Sequence, residues 1–382
     1  MSDSVVVKKG FGTRMKNGFS GILGGIILVL IGIGVLIWNE RSNVVNIHDV
    51  KEMRDVYKDV SSEKVDKENN DNLIVTSGKL DFGDETLTDE TFKVSIKTPT
   101  LVRVVEMYQW KEEVEEDEDK TTYNYTKVWS KELIDSSKFN QSGSHTNPTT
   151  MPYEEFSAHA QELKVGAYKL SSSFAGLVTT NKTYSNLEGA TIPEGYKLNG
   201  NYITKTADEE KDSIGDVRIS FQYADYSDVT VMGKQHEDTI IEYTTKEKSR
   251  ITYFVEGTHD GDYIITQIEK GNKMFKWLLR LIGTIMIISG IKSLFGPLTA
   301  LSSYVPILRN IVNGATGLIS FFVGLAISLV VIAISWLVFR PILGISLLVG
   351  AVVLIILAKK LGSKKPETNP TPTEQPVEEK QE

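Results

Sequence analysis

The feature that most constrains this chain is a set of long apolar runs that carry no charge. Ile311–Phe339 is a run of 29 residues without a charged side chain, and Phe19–Trp38 is also free of charge. A helix needs roughly 20 mainly apolar residues to cross the hydrocarbon core of a bilayer. Trp277–Ile291 is interrupted only by Arg280, and Ile342–Ala358 is a further apolar run. The sequence therefore predicts four transmembrane helices, over residues 19–38, 276–295, 317–339 and 341–358.

The charges are divided between these runs and the long segment that separates the first from the second. Residues 39–275 contain 28 Lys and Arg against 44 Asp and Glu, whereas the rest of the chain contains 14 and 6. Cytoplasmic flanks of membrane helices carry an excess of Lys and Arg. We therefore expect both termini in the cytoplasm and residues 39–275 as one acidic, non-cytosolic domain. The remaining segments are expected to be a basic N-terminus (1–18), a cytoplasmic connection (296–316) and a disordered tail (359–382).

The large segment has the patterning of a folded, strand-rich domain. Val217, Ile219, Phe221 and Tyr223 alternate with polar residues, which indicates a half-buried strand. Asn199-Gly200 between two such runs predicts a two-residue β-hairpin. Apolar residues at helical spacing predict one helix over about 164–178. The predicted fold class is a multi-pass α-helical membrane protein with a large inserted α+β domain, mainly antiparallel β.

An acidic run, Glu112–Asp119, lies between two aromatic-rich strands. A calcium loop is one interpretation, but the run lacks the glycine and the alternating oxygen ligands of such loops. A solvated hairpin tip, kept soluble by charge repulsion, is the favoured interpretation.

Several short motifs, taken in chain order, resemble one known family. They are Trp38-Asn39-Glu40, Tyr123-Asn124-Tyr125 with Trp129, the segments Asp135–Phe139 and His145–Pro148, the strand Gly215–Phe221, and Trp336 through Arg340-Pro341. This series resembles the transmembrane protein 43 family, also called LUMA. The resemblance implies a multi-pass membrane protein that self-associates. In animals, it implies residence in the endoplasmic reticulum and inner nuclear membrane and a part in nuclear-envelope organisation with lamins and emerin. A bacterial source, favoured by the absence of cysteine, would imply the cell membrane instead.

Catalytic and metal-binding motifs are scarce. The chain has no cysteine, which excludes disulfides, thiolate metal sites and cysteine nucleophiles. Its five histidines form neither a zinc-protease motif nor a partner to a nucleophile elbow. We retain three weak site candidates in the large domain, namely His145, His159 and Asp216, and expect no cofactor.

The membrane region also lacks acidic residues, since none occurs between Glu269 and Glu367. Ion and proton pathways usually use intramembrane ionisable groups, so a channel or transporter is disfavoured, and Arg280 is interpreted as an interface anchor. Small residues at four-residue spacing favour close helix packing, within or between chains. These candidates are Gly21, Gly25, Ser320, Gly324, Ser328, Ser346 and Gly350.

Together these features predict a non-enzymatic membrane scaffold that self-associates and organises membrane protein complexes. Its expected partners are membrane lipids, further copies of itself and other membrane proteins, without nucleic acid. The alternative is a membrane-bound enzyme or lipid-handling protein whose site lies between the β-rich domain and the bilayer.

Overall fold

The computed structural model describes residues 3–117, 120–208, 210–302 and 306–342, together with 345, 346 and 349. Within this part of the chain lie four α-helices: α1 (Phe11–Val56), α2 (Gly261–Leu294), α3 (Gly296–Ser302) and α4 (Pro306–Phe339). Three of them, α1, α2 and most of α4, are long and apolar enough to cross a membrane. The fourth predicted span, 341–358, and the predicted tail, 359–382, lie largely outside the described residues.

The helices extend beyond the segments predicted from hydropathy. α1 has 46 residues and is therefore about 69 Å long, more than twice the thickness of a bilayer core. The polar half of α1, after Trp38, and the first two turns of α2 pack against the β-rich domain. The predicted connection 296–316 is also helical, because α3 occupies its start and α4 begins at Pro306 instead of Gly317.

The described part of residues 3–256 contains nineteen strands and three short 3₁₀ helices (Lys67–Asn69, Ser136–Lys138 and Ser172–Leu177). In chain order the strands are β1 (Asp3–Lys8), β2 (Lys58–Asp59), β3 (Leu73–Asp81), β4 (Leu87–Asp89), β5 (Val94–Ile96), β6 (Thr100–Glu116), β7 (Lys120–Ser130), β8 (Phe156–His159), β9 (Leu163–Val165), β10 (Tyr168–Leu170), β11 (Lys182–Tyr184), β12 (Lys197–Asn199), β13 (Tyr202–Lys205), β14 (Val217–Tyr223), β15 (Asp228–His236), β16 (Thr239–Ile241), β17 (Tyr243–Thr244), β18 (Arg250–Ile251) and β19 (Tyr253–Glu256).

These strands form two large sheets and two small ones. The eight-stranded sheet has the order β1-β7-β6-β14-β13-β12, with β11 beside β14 and β8 beside β6. The seven-stranded sheet has the order β19-β15-β16-β10-β9-β3-β2, and β15 also pairs with β3. The pairs β4–β5 and β17–β18 stand apart. Nearly every pairing is antiparallel; among those described, only β10–β16 and β2–β3 are parallel. The β-rich domain predicted from the alternation is therefore confirmed.

One face of the seven-stranded sheet packs against the helices. Met53 of α1 and Ile264 and Ile265 of α2 are fully buried against Leu73, Val75 and Met232 of β3 and β15. This cluster is separate from the core between β9, β10 and the 3₁₀ helix Ser172–Leu177. The β-rich domain without its hairpin extension is called the body below.

A long hairpin extends from the body. The arm consists of Tyr108–Glu116 of β6 and Lys120–Trp129 of β7, paired in register from Tyr108↔Trp129 to Glu116↔Thr121, with β1 added to the outer side of β7. At about 3.4 Å per residue its β6 side is about 27 Å long. Its tip reaches the opposite end of the helices, where Lys9 Nζ pairs with Glu116 at 3.1 Å and Arg309 lies 3.9 Å from Asp117. The predicted hairpin is therefore confirmed as far as the described residues reach, with Glu116 paired to Thr121, and its end also contacts the helices; residues 118 and 119 lie outside the described part.

The pairing of β1 with β7 gives the predicted basic N-terminus a strand of its own. The structure joins Val6 to Thr122 and Val5 to Tyr123 in one ladder, so residues 3–8 are an edge strand of the arm and not a free basic tail. The arm runs beside the apolar helices, and its tip contacts Lys9 at the end of the helices that lies away from the body. The side of the membrane on which the N-terminus lies therefore stays a prediction.

Of the local predictions in the large domain, one is confirmed and one is wrong. The hairpin predicted at Asn199-Gly200 is confirmed as β12–β13, with the turn one residue later: Asn199 pairs with Tyr202, so Gly200-Asn201 is the two-residue turn. The helix predicted over Lys164–Val178 is wrong, because this segment is β9, β10 and a 3₁₀ helix. Gly166 has φ of +59° and lies against the backbone of Ser62, which forces a tight turn between two strands.

Candidate functional site

A cluster of charged and aromatic side chains joins the three long helices where they leave their apolar runs. Asn39 and Glu40 follow Trp38 on α1, Arg280 lies on α2, and Trp336 lies on α4. Because α1 and α2 are antiparallel neighbours, the end of the apolar run of α1 lies beside the start of that of α2. The cluster is therefore at the boundary between the apolar helices and the body.

Glu40 is the centre of this cluster, and its side chain is only 1% exposed. Arg280 Nε donates a hydrogen bond to Glu40 Oε1 at 2.6 Å, and Trp336 Nε1 donates to Oε2 at 2.8 Å. The Arg280 guanidinium also lies over the rings of Trp277 (4.8 Å) and Trp336 (5.6 Å). Both carboxylate oxygens are thus engaged, which is the condition under which a buried ion pair becomes tolerable.

The interpretation of Arg280 as an interface anchor that reaches the membrane surface is wrong. Its side chain is 11% exposed and is directed at Glu40. The signal that was missed is a pair of single, opposite charges at adjoining ends of two apolar runs. A lone charge at such a position is costly, so a partner on the neighbouring helix was to be expected.

A groove between α1 and α2 lies immediately beyond this cluster, on the side of the body. It encloses about 420 Å³. Its lining comprises Asn43, Asn46, Ile47, Val50, Lys51 and Arg54 of α1 and Glu269, Asn272, Lys273 and Lys276 of α2. Four cations thus face one carboxylate, a reversal of the sign of the surrounding acidic domain.

The close approach of α1 and α2 depends on glycines seven residues apart. A Cβ on Gly25 would lie 2.5 Å from the carbonyl oxygen of Gly290, one on Gly32 would lie 2.9 Å from that of Gly283, and one on Gly18 would lie 2.9 Å from Gly296. Real Cβ atoms do not approach backbone atoms so closely, so the helices can pack in this way only at glycine. Gly21, by contrast, would place a Cβ at an ordinary 3.7 Å from Ser293. The four-residue spacing used in the sequence analysis identified Gly25 but neither Gly18 nor Gly32. These three glycines are seven residues apart, and this spacing was the missed signal.

The other packing candidates lie on α4. A Cβ on Gly324 would lie 2.6 Å from a side-chain atom of Ile288 and 2.9 Å from its Cα, and Ser320 and Ser328 are fully buried. Ser328 Oγ donates to the carbonyl of Gly324 at 2.8 Å. Ser346 is exposed, and Gly350 lies outside the described residues. These contacts are within one chain.

The three weak candidates of the large domain are not brought together. His145 is buried in the arm, stacked on Tyr125 (ring centroids 3.8 Å apart) and edge-on to Trp110. His159 lies on β8, where Nδ1 is 3.2 Å from the hydroxyl of Thr100. Asp216 accepts backbone hydrogen bonds from Ala207 (2.8 Å) and Ser213 (2.7 Å). In the part of the chain that the structure describes, no cluster of three or more His, Asp or Glu residues has the arrangement of a metal site.

Comparison with known proteins covers the helices that carry the charged and aromatic cluster. The family model "Transmembrane protein 43" matches residues 107–341, which is more than half of the chain and includes Arg280 and Trp336. The chain belongs to the transmembrane protein 43 family. It is 28% identical to Transmembrane protein 43 of Rattus norvegicus and 26% identical to that of Homo sapiens, over 94% of each chain. The homolog of Drosophila melanogaster is 26% identical over 85% of this chain and 90% of its own. No solved structure matches the chain.

These matches confirm the resemblance seen in the short motifs. The similarity to transmembrane protein 43 extends over nearly the whole chain. The family match begins at Met107, within β6, and ends at Pro341, next to the cluster. The arm and the second and third membrane helices therefore belong to the matched region, whereas Glu40 is covered by the alignments to whole relatives.

Proposed function

We propose that this protein is a non-enzymatic integral membrane scaffold that self-associates and organises other membrane proteins. The observation that carries the proposal is the firm junction between helices and body. α1 continues without a break from its apolar run into the seven-stranded sheet, and Met53 is fully buried there. Glycine contacts and the Glu40–Arg280 pair hold α2 and α4 against it. A folded surface held rigidly at the membrane suits the positioning of partners.

The contacts of the three candidate residues support the proposal that the protein is not an enzyme. His145, His159 and Asp216 each make local structural contacts, and none of them contacts another within the described residues. A triad needs a nucleophile, a base and an orienting group in one hydrogen-bonded chain. Substitution of each by Ala is expected to lower stability or have no effect; loss of function at full stability would instead favour an enzyme.

Self-association is proposed to use the lipid-facing side of α4, because its small-residue side already packs within the chain. Leu318 and Phe322 are each 63% exposed and Leu329 is 58% exposed on this side. Native mass spectrometry of the full chain in mild detergent is expected to show dimers or larger species. Detection of monomers alone, with crosslinking in intact membranes also negative, would count against the scaffold.

The compartment follows from the source of the chain. We propose the endoplasmic reticulum and inner nuclear membrane for a eukaryotic source and the cell membrane for a bacterial one. Membrane fractionation tests the integral attachment that both compartments require, since the protein should sediment with membranes and resist extraction by high salt and alkaline pH.

A second function, lipid handling, is favoured by a specific observation. The basic groove between α1 and α2 lies at the expected depth of lipid headgroups and within the junction between body and helices. A scaffold that also selects its lipids would recruit partners to membranes of a given composition.

A further inference from the structure

The groove between α1 and α2 lies next to the level at which the two helices leave the apolar phase. Its lining begins at Asn43, one turn beyond Asn39, and ends at Lys276, the residue before Trp277. Trp38 and Trp277 are more than half exposed at this level. Exposed tryptophans mark the interface between hydrocarbon and headgroups. The groove therefore opens where phospholipid headgroups are found.

The charge of the groove is only partly balanced by the protein itself. Arg54 pairs with Glu269 at 3.4 Å and with Asp262 at 3.6 Å. Lys51, Lys273 and Lys276 make no ion pair among the described residues, and the carboxylate of Glu40 nearby is already bound by Arg280 and Trp336. Three lysine side chains are thus available to a ligand without breaking an ion pair of the described structure. An anion with several acceptor oxygens suits these three donors.

A buried hydrogen-bond donor supports the same conclusion. Asn43 lines the groove and is 7% exposed, yet its Nδ2 has no hydrogen-bond partner within the described structure. Buried donors are nearly always satisfied, because leaving one unpaired costs free energy. The neighbouring Asn39 satisfies its Nδ2 on the carbonyl of Lys276 at 3.2 Å. Asn43 therefore carries an unused donor in the wall of the groove.

The groove also contains an apolar portion. Ile47 is 48% exposed, and Val50 beside it is partly buried. A volume of about 420 Å³ is within the usual range for small-ligand sites. A lipid offers both chemistries, since its phosphate oxygens face the lysines and Asn43 while its glycerol and first acyl carbons contact Ile47.

We propose that this groove binds the phosphate group of an anionic phospholipid through Lys51, Lys273, Lys276 and Asn43. The proposal does not depend on the scaffold role, because a monomer would bind lipid equally well. It assigns a ligand class to the alternative function, with the body held over the bound headgroup.

The test uses the full chain in a neutral detergent, with phosphatidylglycerol, phosphatidylcholine, inorganic phosphate and glycerol phosphate as separate probes. Lipid retention is measured by native mass spectrometry and affinity by titration. The double variant Lys51→Gln/Lys273→Gln removes two exposed charges without touching the core. The matched control Lys131→Gln/Lys211→Gln removes two exposed charges from surface loops of the body, one of them directly after β7. Asn43→Leu tests the buried donor at similar volume.

The wild-type chain is expected to retain phosphatidylglycerol in preference to phosphatidylcholine. The groove variant should bind it roughly 25-fold more weakly, from about fivefold for each lysine near a membrane surface, while the control binds as the wild type does. Asn43→Leu should weaken binding without lowering the melting temperature, because it removes a buried donor that has no partner. Equal binding by groove and control variants would overturn the proposal. Binding of inorganic or glycerol phosphate as tightly as lipid would overturn the lipid assignment and identify a soluble phosphate ligand.

Discussion

The two ends of the helix pair α1–α2 are held by different kinds of interaction. At the body end, Met53, Ile264 and Ile265 are fully buried against the seven-stranded sheet, and Glu40 is buried with Arg280. At the arm end, β1 adds to β7 through backbone hydrogen bonds, and Lys9 pairs with a Glu116 side chain that is 69% exposed. The body end is therefore held by burial and the arm end by a ladder at the surface.

This difference determines what each end contributes. Burial of apolar side chains and of a fully hydrogen-bonded ion pair responds strongly to single substitutions. Exposed ion pairs contribute little, and a short edge strand can separate locally. The body end is thus expected to set the stability of the helical bundle, while the arm end is expected to contribute little to it.

Removal of one carboxylate at each end gives the largest expected contrast. Glu40→Ala leaves the buried guanidinium of Arg280 unpaired and should lower the free energy of unfolding by about 3–5 kcal/mol. Glu116→Ala removes an exposed partner and should lower it by about 0–1 kcal/mol. Denaturant unfolding in detergent measures both. Addition of Arg280→Met to Glu40→Ala should recover part of the loss, and equal losses at the two ends would contradict the comparison.

A methyl group added to neighbouring glycines tests the packing of α1 on α2. Gly25→Ala would place its Cβ 2.5 Å from a backbone oxygen of α2, whereas Gly24→Ala meets nothing within 4 Å. We expect Gly25→Ala to lower stability by about 1–3 kcal/mol through overpacking. Gly24→Ala should be neutral or raise stability by up to about 1 kcal/mol, because alanine favours the helix. The difference in melting temperature between the two variants is the measurement.

The absence of cysteine permits a direct test of the arm end. Val6 and Thr122 are register partners on β1 and β7, and Glu115 is the next residue in the same row, on β6. Val6→Cys/Thr122→Cys should form a disulfide in intact membranes under mild oxidation. Val6→Cys/Glu115→Cys should not, since two strand spacings, about 9.6 Å, exceed the reach of a disulfide of about 7 Å. Failure of the first pair with both cysteines reactive would contradict the pairing of β1 with β7.

Two tyrosines, one near each end, provide the smallest expected effect. Burial raises the pKa of Tyr125 in the arm to about 12, and the hydrogen bond to Glu112 adds to it. Burial and the hydrogen bond to Glu52 of α1 raise the pKa of Tyr243 in the body to about 12. Raised pKa values mean that folding favours the protonated phenols. Their contribution to stability is complete below pH 10 and is lost as the pH rises from about 10 to 12. In tyrosinate absorbance, Tyr125→Phe and Tyr243→Phe should therefore each remove one late-titrating group. Glu52→Gln should lower the pKa of Tyr243 alone.

The hydrophobic pattern predicted much of the body and of the membrane helices. Alternation located β14, Asn199-Gly200 located a hairpin, and uninterrupted apolar runs located α1, α2 and α4. These features are local, because strand and helix periodicities appear within a few residues. The same local reasoning produced the wrong helix at Lys164–Val178, since four apolar residues at helical spacing also fit two short strands with a turn at Gly166.

The candidate site required information that one segment does not carry. Glu40 and Arg280 are 240 positions apart, and neither residue indicates an ion pair until α1 and α2 are placed side by side. The groove is likewise a property of two helices. The strand β1 was missed for a related reason: six residues before a membrane anchor resemble a basic tail, and only their partner β7 makes them a strand. Pairing at long range depends on tertiary contacts that local propensity does not report.

The unbroken course of α1 has a mechanical consequence. Residues 39–56 continue the axis of the apolar half of α1 without a proline. Any tilt of the apolar half therefore also tilts residues 39–56, which pack against the sheet. For a lever of about 27 Å, a tilt of 10° shifts the far end sideways by about 5 Å. Bilayer thickness alters the tilt of embedded helices. A thicker or thinner membrane would thereby reorient the whole β-rich surface, without any ligand or hinge.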